Sequence, residues 1–503
     1  MLAYTIYLSF AGVVALGLWP RSWAASARVF ALLIALAGLA VALAGFFSAR
    51  GQAPVISIAD LPWVPSLGIH YTLVADGISQ VLVVLTGLAA VAGILFSWNI
   101  NTRPSEFFAL FLALIGGVYG VFLSADLFLL FVFYEIAIVP KYFLIAIWGS
   151  TRREYGAMKL ALYSFAGSAM VLIGLLAAYA QAGGTTMNLT QLAHHDFPVS
   201  FQMWAFPLVF TGFAILAGMW PFHTWAPTGH VAAPTAASML LAGVVMKLGA
   251  YGCLRVAMTL FPHGLDPWGF SFLGIDSWRT LFALFAVIGI VYGAAVALIQ
   301  NDFKFVIGYS SVSHMGLVLL GLLTLSQIGI DGAVLQMFSH GVLAGLLFAI
   351  VGRIVYERTH TRDLNALSTM NLSKTVPFAA WLFVIAGMAS MGLPGFSGFV
   401  AEVQVLIGAW SAFPWFSIIA GVGIVIGVAY TWRAMQRAFF SDAPVVTTEA
   451  HHDFEPITWP ERTGVLLLAG TSLLIGLYPR ILLDAIHPAV QALPHALING
   501  GRP

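Results

Sequence analysis

The chain of 503 residues is 60% hydrophobic and only 8% charged, and its net charge is +1. Soluble domains carry about a quarter charged residues, so a chain with so few charged residues cannot form a water-exposed surface. The sequence has no clusters of Lys and Arg, and this excludes nucleic acid as a partner. The single cysteine, Cys253, excludes an internal disulfide and a cysteine-ligated cluster, and the sequence predicts a polytopic membrane protein.

Apolar runs long enough to cross a bilayer, about 20 residues each, follow one another along the chain. About fourteen runs can be counted, at 2–20, 29–49, 73–97, 107–124, 126–148, 157–181, 203–220, 234–260, 279–300, 305–326, 332–356, 376–409, 414–440 and 463–479. The first lacks a charged leader and a cleavage site, so we interpret it as a span rather than a signal. The sequence predicts an all-α protein of about 14 transmembrane helices.

Lys and Arg occupy alternate loops between these runs. They are Arg21, Arg28, Arg103, Arg152, Arg153, Arg358, Arg362, Lys374, Arg433 and Arg437. The loops at 182–202 and 261–278 contain none. Because basic loops stay on the inner side, both termini are expected to face outward, in a bacterial inner membrane.

Two runs are interrupted by glycine and proline, at Gly218–Pro227 and at Gly392–Gly398. Proline removes a backbone donor, and freed backbone groups are tolerated at membrane depth only inside protein or along a watery cavity. Two breaks in matching places predict an inverted repeat like that of secondary transporters. The alternative is that both are ordinary proline kinks.

The predicted organisation follows from this repeat. Residues 1–106 hold helices 1–3, 107–260 the first repeat of five helices, 279–440 the second, 441–462 an inner loop, and 463–503 helix 14 with an outward tail. The broken helices are the seventh and the twelfth.

Ionisable residues lie in or at the ends of the apolar runs. They are Glu135, Lys141, Lys247, Lys304, His314, His340 and Glu402. An ionisable side chain at the bilayer centre costs about 3 kcal/mol on insertion scales, so these residues predict a path for ions. Glu135 and Lys141 are separated by about 9 Å of helix rise and about 240°. They do not share a face, and the lysine either reaches another helix or extends to the inner surface.

The candidate proton carriers differ in how well their positions in the apolar runs support this role. Lys247 is close to mid-membrane, where a desolvated lysine, unlike an arginine, can change protonation. Glu402 follows the second break and is a carrier, or alternatively caps a half-helix. His314 and His340 stand beside serines and predict a relay, although a lone buried histidine is usually only hydrogen bonded. Lys304 is an additional candidate whose alternative is a place in the inner loop.

Other polar residues have simpler interpretations. Asp126 and Asp76 each open a run and are expected to cap helices. His451 and His452 in the loop 441–462 are weak grounds for a metal site, and none is predicted. A Gly-rich dinucleotide motif is missing from the sequence, so no cofactor is expected in this chain.

Several stretches together resemble one family. They are His223–Trp225, Ala233–Ala236, Lys247–Gly252, Tyr309–Gly316, Glu357–Asp363 and Gly392–Gly395. They are similar to the antiporter-like membrane subunits of respiratory complex I, the proton-pumping NADH:quinone oxidoreductase. The His-Thr-Arg-Asp element and the glutamate at Glu402 resemble the M-type chain, counterpart of mitochondrial NADH dehydrogenase subunit four.

The resemblance implies a proton-pumping module of fourteen helices with two half-channels. Glu135, Lys247, His314, His340 and Glu402 match the family's proton-transfer residues. A proton from the inner side would reach Lys247, pass through His314 and His340 to Glu402, and leave outward. Adjacent antiporter-like subunits would be the partners, and NADH, FMN, iron–sulfur clusters and quinone would be bound by other subunits.

The sequence departs from the family at a few positions. The family lysine seven residues before the His-Thr-Trp element is replaced by Leu216, and Lys141 stands where an apolar residue is usual. We hypothesise that Lys141 supplies the missing positive partner of Glu135. Thr228–Gly229 replaces the usual Asp-Ala, and Phe305 a common arginine; both affect the expected uptake route.

Two other functions fit the same sequence. One is a cation/proton antiporter module, in a multisubunit exchanger or an ion-coupled membrane hydrogenase. The other, motivated by Leu216, is a structural spacer that has lost pumping. Sodium-dependent transport would favour the first, and unchanged pumping after neutralisation of Lys247 and Glu402 would favour the second.

Overall fold

A computed structural model describes residues 1–20, 23, 26–51, 54–271, 273–370, 372–441 and 454–494. These residues form a helical bundle with one β-hairpin. The helices are α1 Ala3–Gly17, α2 Ala27–Ser48, α3 Gly77–Leu95, α4 Pro104–Leu123, α5 Leu127–Trp148, α6 Arg153–Gln181, α7 Leu189–Ala193, α8 Val199–Ala217, α9 Trp225–Ala232, α10 Thr235–Met258, α11 Trp278–Ile299, α12 Phe303–Leu323, α13 Gln327–Thr359, α14 Leu364–Leu367, α15 Leu372–Thr375, α16 Pro377–Ser390, α17 Ser397–Ala412, α18 Pro414–Phe439, α19 Trp459–Leu477 and α20 Arg480–Gln491; the strands are β1 Val55–Val64 and β2 Ile69–Asp76.

The bundle is that of a multi-pass membrane protein. Among the described residues, 11 helices or near-continuous helix pairs are long and apolar enough to span a membrane, or 12 if the bent pair α19–α20 counts as one. The remaining predicted spans correspond to α1, which has 15 residues, and to α16 and α17, which a break separates. The all-α prediction is confirmed, and the boundaries of the repeats stay a prediction.

The two breaks occur where glycine and proline predicted them. α8 ends at Ala217, and a short turn leads into α9 at Trp225. The indole nitrogen of Trp225 donates to the carbonyl of Ile215 at 2.8 Å, so a side chain of α9 is tied to the last turn of α8 across the first break. At the second break, Gly392 and Gly395 have φ of 75° and 102°, a backbone region that favours glycine.

The antiparallel hairpin β1–β2 was not predicted. It follows α2, and β2 takes up the residues 69–76, so α3 begins at Gly77 rather than at 73 as predicted. Asp76 then caps α3, accepting from the amide of Ser79 at 2.9 Å, and forms an ion pair with Arg255. Asp126 caps α5 through the amides of Phe128 and Leu129. Both predicted caps are confirmed.

The helices α3, α10 and α13 are the interior of the bundle, since their apolar windows are fully buried. We call the end carrying the β-hairpin and α20 the hairpin end, and the opposite end, near Arg103 and Arg362, the arginine end. α13 runs from the hairpin end to the arginine end. Residues 442–453, with the predicted loop histidines, and the tail 495–503 lie outside the described residues.

Candidate proton-transfer site

Lys247 lies in the middle of α10, between two irregular turns. π-helical turns cover Leu241–Val245 and Cys253–Met258, and such turns are frequent at functional sites. The side chain of Lys247 is fully buried, and its ammonium group contacts the carbonyl of Ala242. A backbone carbonyl, rather than a carboxylate, is therefore one partner of this lysine.

The second partner of Lys247 is on α13. Its Nζ lies 2.8 Å from Nδ1 of His340. The two helices approach closely because glycines face each other: a Cβ on Gly341 would lie 2.6 Å from the carbonyl oxygen of Gly243. Close backbone approach at small residues is typical of helix packing in membranes. The glycine pair thus brings the lysine within hydrogen-bond distance of the histidine.

From His340 the polar contacts continue to α12 and α17. The ring of His340 stacks on that of His314, with centroids 5.3 Å apart. Nδ1 of His314 lies 2.9 Å from the carbonyl oxygen of Ser310, so Nδ1 carries the hydrogen and Nε2 faces Glu402 Oε1 at 3.6 Å. Glu402 is buried with 6% of its surface exposed. Two nitrogen bases thus connect a buried lysine with a buried carboxyl group.

A small cavity accompanies this line. It is lined by His314, His340, Glu402, Gln336 and Ser339 among others, and offers about 10 Å³ to water. That volume is about what one water molecule needs, and the site supplies the polar partners that a buried water requires. One water could thus complete the 3.6 Å step between His314 and Glu402.

Four of the predicted residues, Lys247, His340, His314 and Glu402, come together, but the predicted order of the two histidines is wrong. The sequence order suggested Lys247, His314, His340 and then Glu402. In the structure His340 contacts Lys247 and His314 contacts Glu402. The reason is that the order depends on which faces of α10, α12, α13 and α17 meet, and the order of residues along the chain does not reveal this.

Lys304 is buried rather than peripheral. It is the second residue of α12, and only 3% of its surface is exposed. Its Nζ donates to the carbonyl of Ala233, which ends α9, at 3.0 Å and lies 3.5 Å from Oγ of Ser238. The interpretation of Lys304 as part of a solvated loop is wrong, because its long side chain turns into the bundle from the arginine end.

His230 is a buried histidine that is affected by the charges of both Lys247 and Lys304, and the sequence analysis did not identify it. It is fully buried in α9, and both ring nitrogens have no hydrogen-bond partner among the described residues. The charges of Lys247 and Lys304 both act on its ring. Ser238 donates to its carbonyl at 2.7 Å. The sequence did contain a signal for this residue, because His230 stands in an apolar stretch three residues after Pro227, where the first break ends.

Glu135 and Lys141 are not in direct contact, as their positions on different helix faces predicted. Lys141 is 1% exposed, and its Nζ, like Oε1 of Glu135, has no hydrogen-bond partner in the part of the chain that the structure describes. The two charges interact only at longer range, because six residues of helix turn them to different faces. Leu216 is buried in α8 and offers no charge.

The first break holds a further polar group. His223 is 2% exposed, and both its ring nitrogens are without a partner among the described residues. Its ring lies 5.1 Å from that of Tyr292. Nearby, Nζ of Lys159 lies 3.4 Å from Oγ1 of Thr228. A cationic side chain is therefore present at this break although Leu216 is not charged, and the sequence analysis did not single it out.

Comparison with known proteins gives consistent matches. A family model described as "NADH:quinone oxidoreductase/Mrp antiporter, TM" matches residues 124–427. The chain is 36% identical over 485 residues to "NADH-quinone oxidoreductase subunit M" of Rhodobacter capsulatus, covering 94% of this chain and 90% of that one. It is 37% identical over 451 residues to the protein of the same name from Escherichia coli (strain K12), covering 88% and 86%.

Solved structures match over nearly the whole length. A chain of the respiratory complex I from Thermus thermophilus with bound NADH superposes with a TM-score of 0.87 at 26% identity, covering 99% of this chain and all of that one. A chain of the Mrp complex from Dietzia sp. has a TM-score of 0.81 at 20% identity, with 99% coverage of each. The second likeness is one of fold alone.

Proposed function

This chain belongs to the membrane family that NADH:quinone oxidoreductases share with Mrp antiporters, and we propose that it carries protons across the membrane as a subunit of an NADH:quinone oxidoreductase. The other membrane subunits of that complex are its partners, and NADH, FMN, iron–sulfur clusters and quinone are bound elsewhere. The chain itself takes no part in electron transfer. The arginine end faces the inner side, so that both termini face outward.

The observation that carries this proposal is the line of four titratable side chains in the centre of the bundle. It runs from Lys247 through His340 and His314 to Glu402, with a 2.8 Å contact at one end and a 3.6 Å contact at the other. Each member can gain or lose a proton, and Lys247, His340 and Glu402 are buried where ionisable groups rarely serve packing alone, while 12% of the His314 side chain is exposed. Lys304 and His230 extend the line toward the arginine end.

In the proposed cycle a proton taken up at the arginine end reaches Lys304 and passes by way of His230 and water to Lys247. Lys247 then donates through its hydrogen bond to Nδ1 of His340. His340 gives up the proton from Nε2, which passes by way of His314 to Glu402. Charge changes near Glu135 and Lys141, driven by neighbouring subunits, would set when Lys247 releases its proton.

The test replaces Lys247 in the reconstituted complex. Lys247→Met keeps a long apolar side chain without a proton to transfer, and Lys247→Arg keeps a charge that does not dissociate at neutral pH. We expect both variants to assemble and to lose the protons that this chain contributes per electron, measured by proton uptake into liposomes during quinone reduction. Normal pumping by both variants would support the spacer function instead.

The cation/proton antiporter function is distinguished in the same liposomes. The line consists mainly of nitrogen bases, whereas hard cations take oxygen ligands, so proton transfer is favoured over sodium transfer. We expect pumping to be unchanged when sodium salts are replaced by potassium or choline salts. A strict requirement for sodium would favour the antiporter.

A further inference from the structure

A second group of titratable residues lies at the hairpin end of α13. Oδ2 of Asp331 lies 2.7 Å from Nδ1 of His487 on α20, and Oδ1 accepts from Nε2 of Gln327 at 2.8 Å. Nε2 of His487 lies 3.1 Å from Gln491. We call Gln327, Asp331, His487 and Gln491 the outlet cluster.

The outlet cluster has one buried and one exposed side. Asp331 is 6% exposed, whereas 49% of the His487 side chain is exposed. Asp331 does not cap α13, because Ser326 already accepts from the amide of Gly329 at 3.2 Å. A helix-capping role therefore does not account for a buried carboxyl group in this position. A buried acid in contact with a half-exposed base is an arrangement that can pass a proton from the interior to solvent.

The cluster is connected to Glu402 through two buried amides. Gln336 lines the same small cavity as Glu402, and its Oε1 has no partner among the described residues. Gln404 follows Glu402 by two residues, and its Oε1 is likewise buried without a partner within the described ranges. Its Cβ lies 2.7 Å from where a Cβ on Gly332 would stand, so α17 approaches α13 beside Asp331.

Unsatisfied amide oxygens are acceptors that buried water fills. Along α13, Gln336 and Asp331 are separated by about 7.5 Å of helix rise, a distance that two or three waters bridge. The interval between Glu402 and the outlet cluster thus contains two buried acceptors, the amide oxygens of Gln336 and Gln404.

We propose that Asp331 and His487 are the group through which protons leave Glu402 for the hairpin side of the membrane. The inference rests on the proposed function. Protonated Glu402 gives its proton through water to the Asp331 carboxylate. In the resting state Nδ1–H of His487 faces Asp331 and Nε2 accepts from the amide nitrogen of Gln491. Exchange with water moves the hydrogen of the imidazole to Nε2. Protonated Asp331 then passes its proton to Nδ1, and Nε2 releases its own proton to solvent, which restores the resting tautomer. No electron or further reactant is needed.

The experiment uses the intact complex in liposomes and four variants. Asp331→Asn should lower the number of protons moved per electron severalfold toward the Lys247→Met level, and Asp331→Glu should keep most of it. His487→Ala should slow proton release, and free imidazole in the medium on the hairpin side should restore the rate. A structural role for His487 would not respond to imidazole.

His263→Ala is the matched control, because His263 forms a 2.8 Å pair with Asp266 at the same end of the bundle but away from Glu402. We expect it to pump normally with and without imidazole. The outlet proposal is overturned if Lys247→Met blocks pumping while Asp331→Asn does not, or if imidazole fails to restore His487→Ala. Normal pumping by Lys247→Met would instead refute the proposed function itself.

Discussion

The glycine at position 392 gives a sharp test of whether the position of Glu402 matters for pumping. Gly392 has φ of 75°, and a Cβ added there would lie 2.7 Å from Oε2 of Glu402. Ordinary contacts begin at 3.4 Å, so in Gly392→Ala the carboxyl group must retreat by about 0.7 Å.

This retreat disturbs a contact that is already long. Oε1 of Glu402 stands 3.6 Å from Nε2 of His314, and proton transfer requires near hydrogen-bond distance, directly or through one water. A misplacement of about 1 Å can slow a reaction about 100-fold. We therefore expect Gly392→Ala to slow proton pumping by at least about tenfold.

The same change also strains the backbone, and Gly395→Ala isolates that effect. Gly395 has φ of 102°, and a Cβ added there would meet no heavy atom within 4 Å beyond the glycine and its chain neighbours. Each alanine should destabilise the protein by about 1–2 kcal/mol through backbone strain. Only Gly392→Ala moves Glu402.

The assay measures proton uptake per electron in liposomes together with thermal unfolding of the purified complex. The two variants should lose similar thermal stability, and only Gly392→Ala should lose pumping. Normal pumping by both variants would refute the conclusion that Glu402 must keep its present position. Loss of pumping to the same extent in both variants would assign the effect to backbone strain.

Two further predictions concern charges away from the central line. Lys141→Ala should abolish quinone-linked pumping because it removes the positive charge acting on Glu135. Adding Leu216→Lys to this variant should restore pumping. If Lys141→Ala moved as many protons per electron as the unaltered protein, Lys141 would not be the substitute for the lysine missing at Leu216. Glu461→Gln removes the shared partner of two arginines and should cost about 3–5 kcal/mol in thermal unfolding. Glu106→Gln, at an exposed ion pair, should change stability by only about 0–1 kcal/mol.

The sequence was sufficient for features that depend on neighbouring residues in the chain. Glycine and proline located both helix breaks, and the positions of Asp76 and Asp126 at the start of apolar runs predicted two helix caps. The buried position of Lys247 followed from the length of its run. Each of these features is decided by local backbone chemistry or by depth in the membrane.

Features that depend on which helices face each other were not predictable. The order of His340 and His314 along the line is set by the contacts that α12 and α13 make with each other and with Lys247 and Glu402. The burial of Lys304 depends on where the carbonyl of Ala233 lies, 71 residues away in the chain. His487 and Asp331 are 156 residues apart, and nothing in either local sequence indicates that they meet.

The partners of the two central lysines explain why they suit proton transfer. A buried lysine that is ion-paired with a carboxylate is held in its charged state, because losing the proton leaves the carboxylate unpaired. Lys247 instead contacts the carbonyl of Ala242 and His340, and Lys304 contacts the carbonyl of Ala233 and a hydroxyl group.

Carbonyls and neutral imidazole accept hydrogen bonds from an ammonium group and from a neutral amine alike. These partners therefore satisfy both protonation states of each lysine. The carbonyls are supplied by irregular backbone, the π-turn around Ala242 and the end of α9 at Ala233. The irregular backbone thus provides neutral acceptors at the positions where a lysine must be free to release its proton.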